Sequence, residues 1–354
     1  MRSAVKYVPG IAVAGLVVAL AAACSSAAGV SGAGSSGAGG IGAGGIGAGS
    51  GSAVRLSSLE TTNLTIASVP VGDDAGLYIA KNLGLFKAVG LNVSIDPVSS
   101  GVTAMQGENT GKYDVTAGNA VSFIQAQASG VSNLEIVAEG SLMQPGNQAL
   151  YVLPNSPITT VAALKGKRIG VNAPNNVGTL LISALLNANG MTSSDVHFVP
   201  LAGGFPAMAA ALADHQIDVA WLPEPFGSTD SATLGLRELA DLDQGEAADF
   251  PVSWYVVTKN WAKANPHTLS AFLYALREGQ EYADTDRADV EQAMENLPEP
   301  YTVQPKFAAI MSIESYPLNT APDIDAARVQ RVADEMQQFG MVTAHFNVSS
   351  MLTP

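Results

Sequence analysis

One structural unit stands out in residues 195–224, which read DVHFVPLAGGFPAMAAALADHQIDVAWLPE. The stretch predicts a strand, a turn of small residues, a helix and a second strand. Residues 91–120, which read LNVSIDPVSSGVTAMQGENTGKYDVTAGNA, repeat that order. In each stretch the helix carries a methionine, Met105 or Met208, and an Asp-Val pair opens the second strand. The two stretches therefore predict two copies of one α/β unit.

Strands and helices alternate along residues 64–223, and this alternation predicts an α/β fold with mostly parallel sheets. After residues 253–260 the pattern becomes mainly helical and ends in the stretch 323–341. Ligands of open α/β sheets bind beyond the C-terminal ends of the strands, where helix N-termini point. Two such units that face each other would therefore form a binding cleft.

The N-terminus predicts export from the cytoplasm. Arg2 and Lys6 precede an apolar run at residues 11–23, which is shorter than the about 20 residues that a membrane span needs. Small residues then lead into Cys24, so residues 1–24 resemble a bacterial lipoprotein signal that ends at a lipidated cysteine. The alternative is an ordinary secretory signal with an incidental cysteine. Residues 25–60 are rich in Gly, Ala and Ser, and we expect them to form a flexible tether.

Composition excludes several classes of function. The 354-residue chain has a formal net charge of −14, with 17 basic against 31 acidic residues and no basic cluster, so we expect no nucleic-acid binding. Cys24 is the sole cysteine, which excludes an intrachain disulfide and a cysteine-based metal site. No catalytic motif is present, and we expect no metal, cofactor or enzyme activity. The histidines are scattered without metal-ligand spacing: His197, His215, His267 and His345.

Four motifs carry a family resemblance. The first, at residues 76–95, reads GLYIAKNLGLFKAVGLNVSI; KYDVTAGNA (112–120), AALKGKRIGV (162–171) and QIDVAWLPEPF (216–226) follow in order. Together they resemble the solute-binding proteins of the nitrate/sulfonate/taurine class of ABC importers. These proteins are similar to the fungal thiamine-pyrimidine synthases. The resemblance covers about residues 62–285.

The resemblance implies a two-lobed type II periplasmic-binding-protein fold with a helical C-terminal part. Lobe I would comprise residues 62–153 plus 254–354, and lobe II residues 155–250. Hinge crossovers would lie near Pro154 and Pro251. The lobes would close on a ligand by a hinge motion of the binding-protein kind.

The same resemblance implies a function. The chain would be a monomeric lipoprotein, lipid-anchored outside the cytoplasm on the bacterial cell membrane, that captures a small molecule and delivers it to an ABC permease. The ligand would be of the nitrate/sulfonate/taurine class or resemble a pyrimidine thiamine precursor. A sensor lipoprotein that signals to a partner is an alternative. A synthase-like enzyme is a further one, although the cysteines of the synthases' iron motif are missing here.

Candidate ligand-binding residues follow the ends of predicted strands or begin predicted helices: Asp73, Ser99, Ser100, Gly101, Asn119, Asn175, Asn176, Thr179, Phe205, Trp221 and Glu224. For some of these residues a structural role is an alternative to ligand binding. Trp221 and Phe226 would stack on a ligand or pack in the core, and the turn 99–101 would offer backbone N–H groups or cap a helix. One of Asp73 and Asp74 is expected to cap the first helix.

The charges around the predicted cleft bear on the ligand. The loops on the cleft side contain no Arg or Lys, whereas Asp73, Asp74 and Glu224 add negative charge. This favours a neutral, zwitterionic or amine-bearing ligand. Because Glu224 lies between Pro223 and Pro225, we expect it to receive a donor group of the ligand or to fix the start of a helix, without performing chemistry.

Overall fold

The computed structural model of the chain describes residues 58–353. The predicted signal peptide, the lipidation site Cys24 and the tether as far as residue 57 lie outside the described residues. Among the described residues, no helix combines the length and the apolar composition that crossing a membrane requires.

The strands form two five-stranded sheets. The first sheet contains β1 (Asn63–Ser68), β2 (Asn92–Pro97), β3 (Val115–Asn119), β4 (Leu134–Leu142) and β10 (Pro251–Thr258). The second contains β5 (Gln148–Val152), β6 (Arg168–Val171), β7 (His197–Pro200), β8 (Val219–Pro223) and β9 (Arg237–Asp241).

Helices connect and cover these strands. Those that precede β10 in the chain are α1 (Ala75–Asn82), α2 (Leu85–Ala88), α3 (Gly101–Asn109), α4 (Ala120–Ala128), α5 (Val177–Ala188), α6 (Met208–Ala213) and α7 (Phe226–Leu234). Those after it are α8 (Lys259–Ala264), α9 (Pro266–Thr285), α10 (Arg287–Glu295), α11 (Pro305–Ala308) and α12 (Ala326–Gln338).

The two sheets have equivalent strand orders, β2-β1-β3-β10-β4 and β7-β6-β8-β5-β9. In each sheet the first three strands are parallel, and β10 or β5 runs antiparallel to both of its neighbours. The strands and helices of residues 91–120 and 195–224 occupy matching places, with Met105 on α3 and Met208 on α6. The mixed α/β architecture with two like units, predicted from the sequence, is therefore confirmed.

The chain crosses between the sheets at residues 143–147 and again at residues 242–250. The first crossover differs from the one expected near Pro154, because β5 pairs with β8 and so belongs to the second sheet. The apolar strand β5, followed closely by Pro154, resembles the last strand of a lobe. Its hydrogen-bond partners, however, are in β8, about 70 residues later in the chain.

We use lobe I for residues 58–142 together with 251–353, and lobe II for residues 148–241. Within lobe I, Phe272 of α9 in the helical C-terminal part stacks on Phe86 of α2, with ring centroids 5.5 Å apart. On α12, a guanidinium N–H of Arg331 donates to the carbonyl of Ala248 at 2.8 Å. The C-terminal helix thereby fixes the second crossover.

Candidate ligand-binding cleft

A small cavity lies between the two lobes, at the C-terminal ends of β1, β3 and β8. Both lobes contribute to its wall: Val69, Val71, Asp73, Asp74, Gly118, Asn119, Gln148, Asn172, Val177, Phe205, Trp221 and Pro223. The volume of the cavity is about 20 Å³, which is room for very few atoms. The lobes are therefore nearly closed on each other, and a larger solute requires them to separate.

A short 3-10 turn, Gly72–Asp74, carries the acidic part of the wall. The N–H of Gly72 donates to the carbonyl of Glu224 in lobe II at 3.0 Å. The carbonyl of Gly72 accepts a hydrogen bond from the Tyr316 hydroxyl at 2.9 Å. The first contact holds the turn, and with it Asp73 and Asp74, against lobe II, and the second fixes it within lobe I.

The carboxyl groups of this turn are buried. Asp74 accepts hydrogen bonds from the hydroxyls of Ser68 at 2.7 Å and Ser253 at 2.8 Å, and burial raises its pKa to about 7. Burial also raises the pKa of Asp73. Glu314 lies beside them, and burial, followed by the charge of Asp73, raises its pKa well above the usual range. The site therefore concentrates carboxyl groups where ionisation is costly.

Amide side chains connect the two lobes. The Nδ2 of Asn172 donates to the carbonyl of Ser99 in lobe I at 3.1 Å. The Nδ2 of Asn176 donates to the Oδ1 of Asn172, while its own Oδ1 accepts the N–H of Thr179 at 3.4 Å and caps α5. The cap of α5 and the contact between the lobes therefore form one continuous chain of hydrogen bonds.

Two aromatic rings form the apolar wall. Phe205 and Trp221 meet edge to face, with centroids 5.1 Å apart and planes at 74°. The Nε1 of Trp221 donates to the Oε1 of Gln148 at 3.2 Å. Gly178 of α5 lies against the same indole, and a Cβ at that position would come within 2.3 Å of it. Packing and hydrogen bonding thus fix the ring of Trp221 beside the cavity.

Four of the predicted site residues line the cavity, namely Asp73, Asn119, Phe205 and Trp221. Ser99 lies at its edge through its contact with Asn172. The hydroxyl of Ser100 accepts the N–H of Thr103 at 3.2 Å and caps α3. Asn119 combines both roles, because its Oδ1 also caps α4 by accepting the N–H of Ser122 at 2.9 Å.

Other predicted residues support the walls of the cleft or lie elsewhere. Gly101 packs against Asn119, where a Cβ would come within 2.6 Å of the amide nitrogen. Asn175 and Thr179 line a separate pocket that also contains Phe339. The expected cap at the start of α1 is not formed by Asp73 or Asp74. For Asp74 the reason is that its carboxylate accepts the serine hydroxyls of β1 and β10.

Glu224 lies outside the cavity wall, at the hinge. Its carboxylate accepts the hydroxyl of Ser228 at 2.6 Å and the N–H of the same residue at 3.2 Å, at the first turn of α7. Its backbone N–H donates to Asn147 of the first crossover at 2.8 Å. Burial raises the pKa of Glu224 to about 7. Of the two roles expected for this residue, these contacts match the fixing of a helix start.

Sequence reasoning missed Gln148 and Asn172 among the polar residues of the wall. Gln148 is the first residue of β5, directly after the crossover, and Asn172 follows the end of β6. The position after β6 was available as a signal, because polar residues that follow parallel strands face a cleft. The position of Gln148 at the cavity depends on where the chain crosses between the sheets, and no local sequence pattern indicates that crossover.

The chain is similar to proteins named for thiamine biosynthesis and for nitrate binding. The model of the NMT1/THI5 like family matches residues 72–288. A protein of Haemophilus influenzae, provisionally named for thiamine biosynthesis, is 24% identical over 76% of this chain and 84% of its own length. The nitrate/nitrite binding protein NrtA of Nostoc is 25% identical over 66% of this chain and 56% of its length.

Two further relatives show the breadth of the similarity. The 4-amino-5-hydroxymethyl-2-methylpyrimidine phosphate synthase of Aspergillus parasiticus is 27% identical over 59% of this chain and 62% of its own length. The chain thus spans only about six tenths of the synthase and of NrtA. The structure of the alkanesulfonate-binding protein SsuA of Xanthomonas axonopodis pv. citri, bound to MOPS, superposes with a TM-score of 0.67 at 19% identity, covering 83% of this chain and 98% of that one.

Proposed function

The chain belongs to the NMT1/THI5 like family, and we propose that it is the extracytoplasmic solute-binding component of an ABC importer. In this role it captures a small molecule between its two lobes and delivers it to a membrane permease. The observation that carries the proposal is the cavity at the meeting point of two equivalent sheets, lined from both lobes by strand ends. The names of NrtA and SsuA, a nitrate/nitrite and an alkanesulfonate binder, support it.

Within this proposal, Asp73, Asn119, Phe205 and Trp221 contact the solute. A second group of predicted site residues orients these walls by capping helices, joining the lobes or packing against Asn119: Ser99, Ser100, Gly101 and Asn176. Opening at the two crossovers admits the solute, and the contact between Asn172 and Ser99 re-forms on closure. Both lobes are required for the site, so that closure and binding are coupled.

We assign binding without catalysis. The synthase of Aspergillus parasiticus is a relative of this chain, but no histidine or cysteine lines the cavity between the described lobes. The cavity wall thus offers carboxyl, amide and aromatic groups, which suit recognition.

The proposal also includes a lipid anchor at Cys24, with residues 25–60 as the tether to the membrane. Replacement of Cys24 by Ser should release the chain from the membrane fraction or leave it unprocessed. Partition of processed Cys24→Ser with membranes, as in the wild type, would contradict the anchor without bearing on solute capture.

Native mass spectrometry of the freshly purified full chain tests the proposed function, because a binding protein of this kind retains its solute. We expect one bound small molecule per chain, released on denaturation, and compaction in small-angle scattering when it is added back. Cross-linking in the membrane then identifies the partner: a permease supports delivery, and a sensor protein supports the signalling alternative.

A further inference from the structure

Asp73 is a buried carboxyl on the wall of the cavity. Its side chain is 8% exposed, and its buried Oδ1 accepts no hydrogen bond from the described residues. Buried polar atoms in proteins almost always have a hydrogen-bond partner, because an unpaired one costs free energy. Glu314 lies beside this carboxyl and can share a hydrogen bond with it, and a donor group of a ligand would give it a further partner.

No basic side chain compensates the acids of the cleft. Lys, Arg and His are absent from the residues that line the cavity. Elsewhere in the described part of the chain, carboxylates do have such partners: Arg328 pairs with Glu139 at 2.7 Å, and Arg168 with Asp218 at 2.8 Å. The fold therefore provides cations for some of its acids, and it provides none for the acidic side chains that line the cleft.

The remaining walls suit a positively charged ligand. Phe205 and Trp221 offer aromatic surfaces, which attract a cation at close range. The amide oxygens of Asn119, Gln148 and Asn172 belong to groups that line the same cavity. Each already accepts one hydrogen bond from the protein, and the second lone pair of an amide oxygen can accept one from an ammonium group. An anion at this place would lie against Asp73 and Asp74, with repulsion that low polarity strengthens.

We propose that the solute captured by this cleft is a small organic cation whose amino group donates to Asp73 and lies beside Trp221. This inference rests on the proposed function, and it separates the chain from the nitrate and sulfonate binders that it resembles. Asp74 is not assigned a direct contact with the solute, since its two oxygens already accept the hydroxyls of Ser68 and Ser253.

A matched series of probes tests the charge preference. Ethanolamine, ethylene glycol and isethionate share a hydroxyethyl group and differ in bearing a positive, neutral or negative end. Titration calorimetry of the full chain, after removal of any co-purified solute by partial unfolding and refolding, gives each affinity. We expect ethanolamine to bind about tenfold to a hundredfold more tightly than ethylene glycol, as for a charge-assisted hydrogen bond, and isethionate to be the weakest.

Two substitutions test whether Asp73 is responsible for the preference for a positively charged ligand. Asp73→Asn keeps the size of the side chain and removes its charge, and should remove the advantage of ethanolamine over ethylene glycol. Glu108→Gln is the matched control, because Glu108 is another buried carboxyl of lobe I, 2% exposed, that bonds Thr116 outside the cavity. It should leave the order of the three probes unchanged. The wild-type series decides the charge preference even if Asp73→Asn fails to fold.

The outcomes separate the two proposals. Preference for isethionate over ethanolamine, or equal binding of ethanolamine and ethylene glycol, overturns the cation inference and leaves solute capture intact. An unchanged ethanolamine advantage in folded Asp73→Asn also overturns it. A chain that binds none of the probes and carries no co-purified molecule overturns the cation inference and the proposed function together.

Discussion

The side-chain amide of Asn172 in lobe II donates to the backbone carbonyl of Ser99 in lobe I at 3.1 Å. This hydrogen bond closes the cavity on the side of α5, and it exists only while the lobes are together. Its acceptor is a backbone group, so a substitution of Asn172 removes the contact without a second mutation. It is therefore the most direct point at which to disturb closure.

Replacement of Asn172 by Ala should favour the open form. Loss of one hydrogen bond costs about 0.5–1.5 kcal/mol, and we expect a corresponding twofold to tenfold loss of solute affinity. Distances between spin labels on the two lobes should shift toward longer values. Asn189→Ala is the control, since that exposed amide donates to Leu185 within α5 at 2.8 Å. Unchanged label distances and affinity in Asn172→Ala would contradict a role in closure.

Replacement of Glu224 by Ala should destabilise the fold and leave binding nearly unchanged. The carboxylate accepts two groups of Ser228 at the start of α7, and loss of a helix-capping side chain costs roughly 1–2 kcal/mol. Urea denaturation measures the loss, and titration with the co-purified solute measures the affinity. Glu224→Gln keeps one acceptor and should lose less stability. A tenfold weaker affinity at unchanged stability would instead place Glu224 in contact with the solute.

Much of the fold could be predicted from the sequence because one α/β unit occurs twice in it. The strand, turn, helix and strand of residues 91–120 recur in residues 195–224, and each copy became β-strand and helix in matching positions of its sheet. The strand ends then located Asn119 and Trp221 at the cavity. Periodicity and short-range order were sufficient for these predictions.

The site was less predictable where contacts between residues distant in the sequence determine its geometry. β5 joins the second sheet through Gln148 and its neighbours, which pair with residues near Pro223, and no local pattern specifies that choice. The direction of the Glu224 side chain likewise depends on Ser228 and on the adjacent crossover. A carboxylate beside a strand end was recognisable from the sequence, but whether it faces the cleft or the hinge was not.

Tryptophan fluorescence should report solute binding through Trp221. This indole is 2% exposed and lines the cavity, so an arriving solute changes its surroundings directly. The other two tryptophans of the chain, Trp254 and Trp261, are absent from the cavity wall. Trp221→Phe should abolish most of the emission change, whereas Trp261→Phe should preserve it. A full signal in Trp221→Phe would show that the solute binds elsewhere.

The stability of the chain should fall as the pH rises from about 5 to 7. Burial raises the pKa of Asp74 from 3.8 to about 7, so the folded chain holds a proton in this range that the unfolded chain has released. Folding then takes up a proton, and stability declines with rising pH, by at most about 1.4 kcal/mol per pH unit for one such group. Glu108 and Glu224, whose pKa values burial also raises to about 7, act in the same direction.

Asp74→Asn isolates the contribution of that group. Asn can accept one of the hydroxyls of Ser68 and Ser253 and donate to the other, so the local contacts persist. The other ionisable groups facing Asp74 are Asp73 and Glu314, together with three tyrosines whose pKa values are raised and which stay neutral below pH 8: Tyr78, Tyr255 and Tyr316. Urea denaturation at pH 5, 6 and 7 should give a shallower decline for Asp74→Asn than for the wild type. The exposed Asp214 provides the control, because Asp214→Asn should keep the wild-type slope. A wild-type stability that stays level or rises over this range would refute the burial of ionisable carboxyls at the cleft.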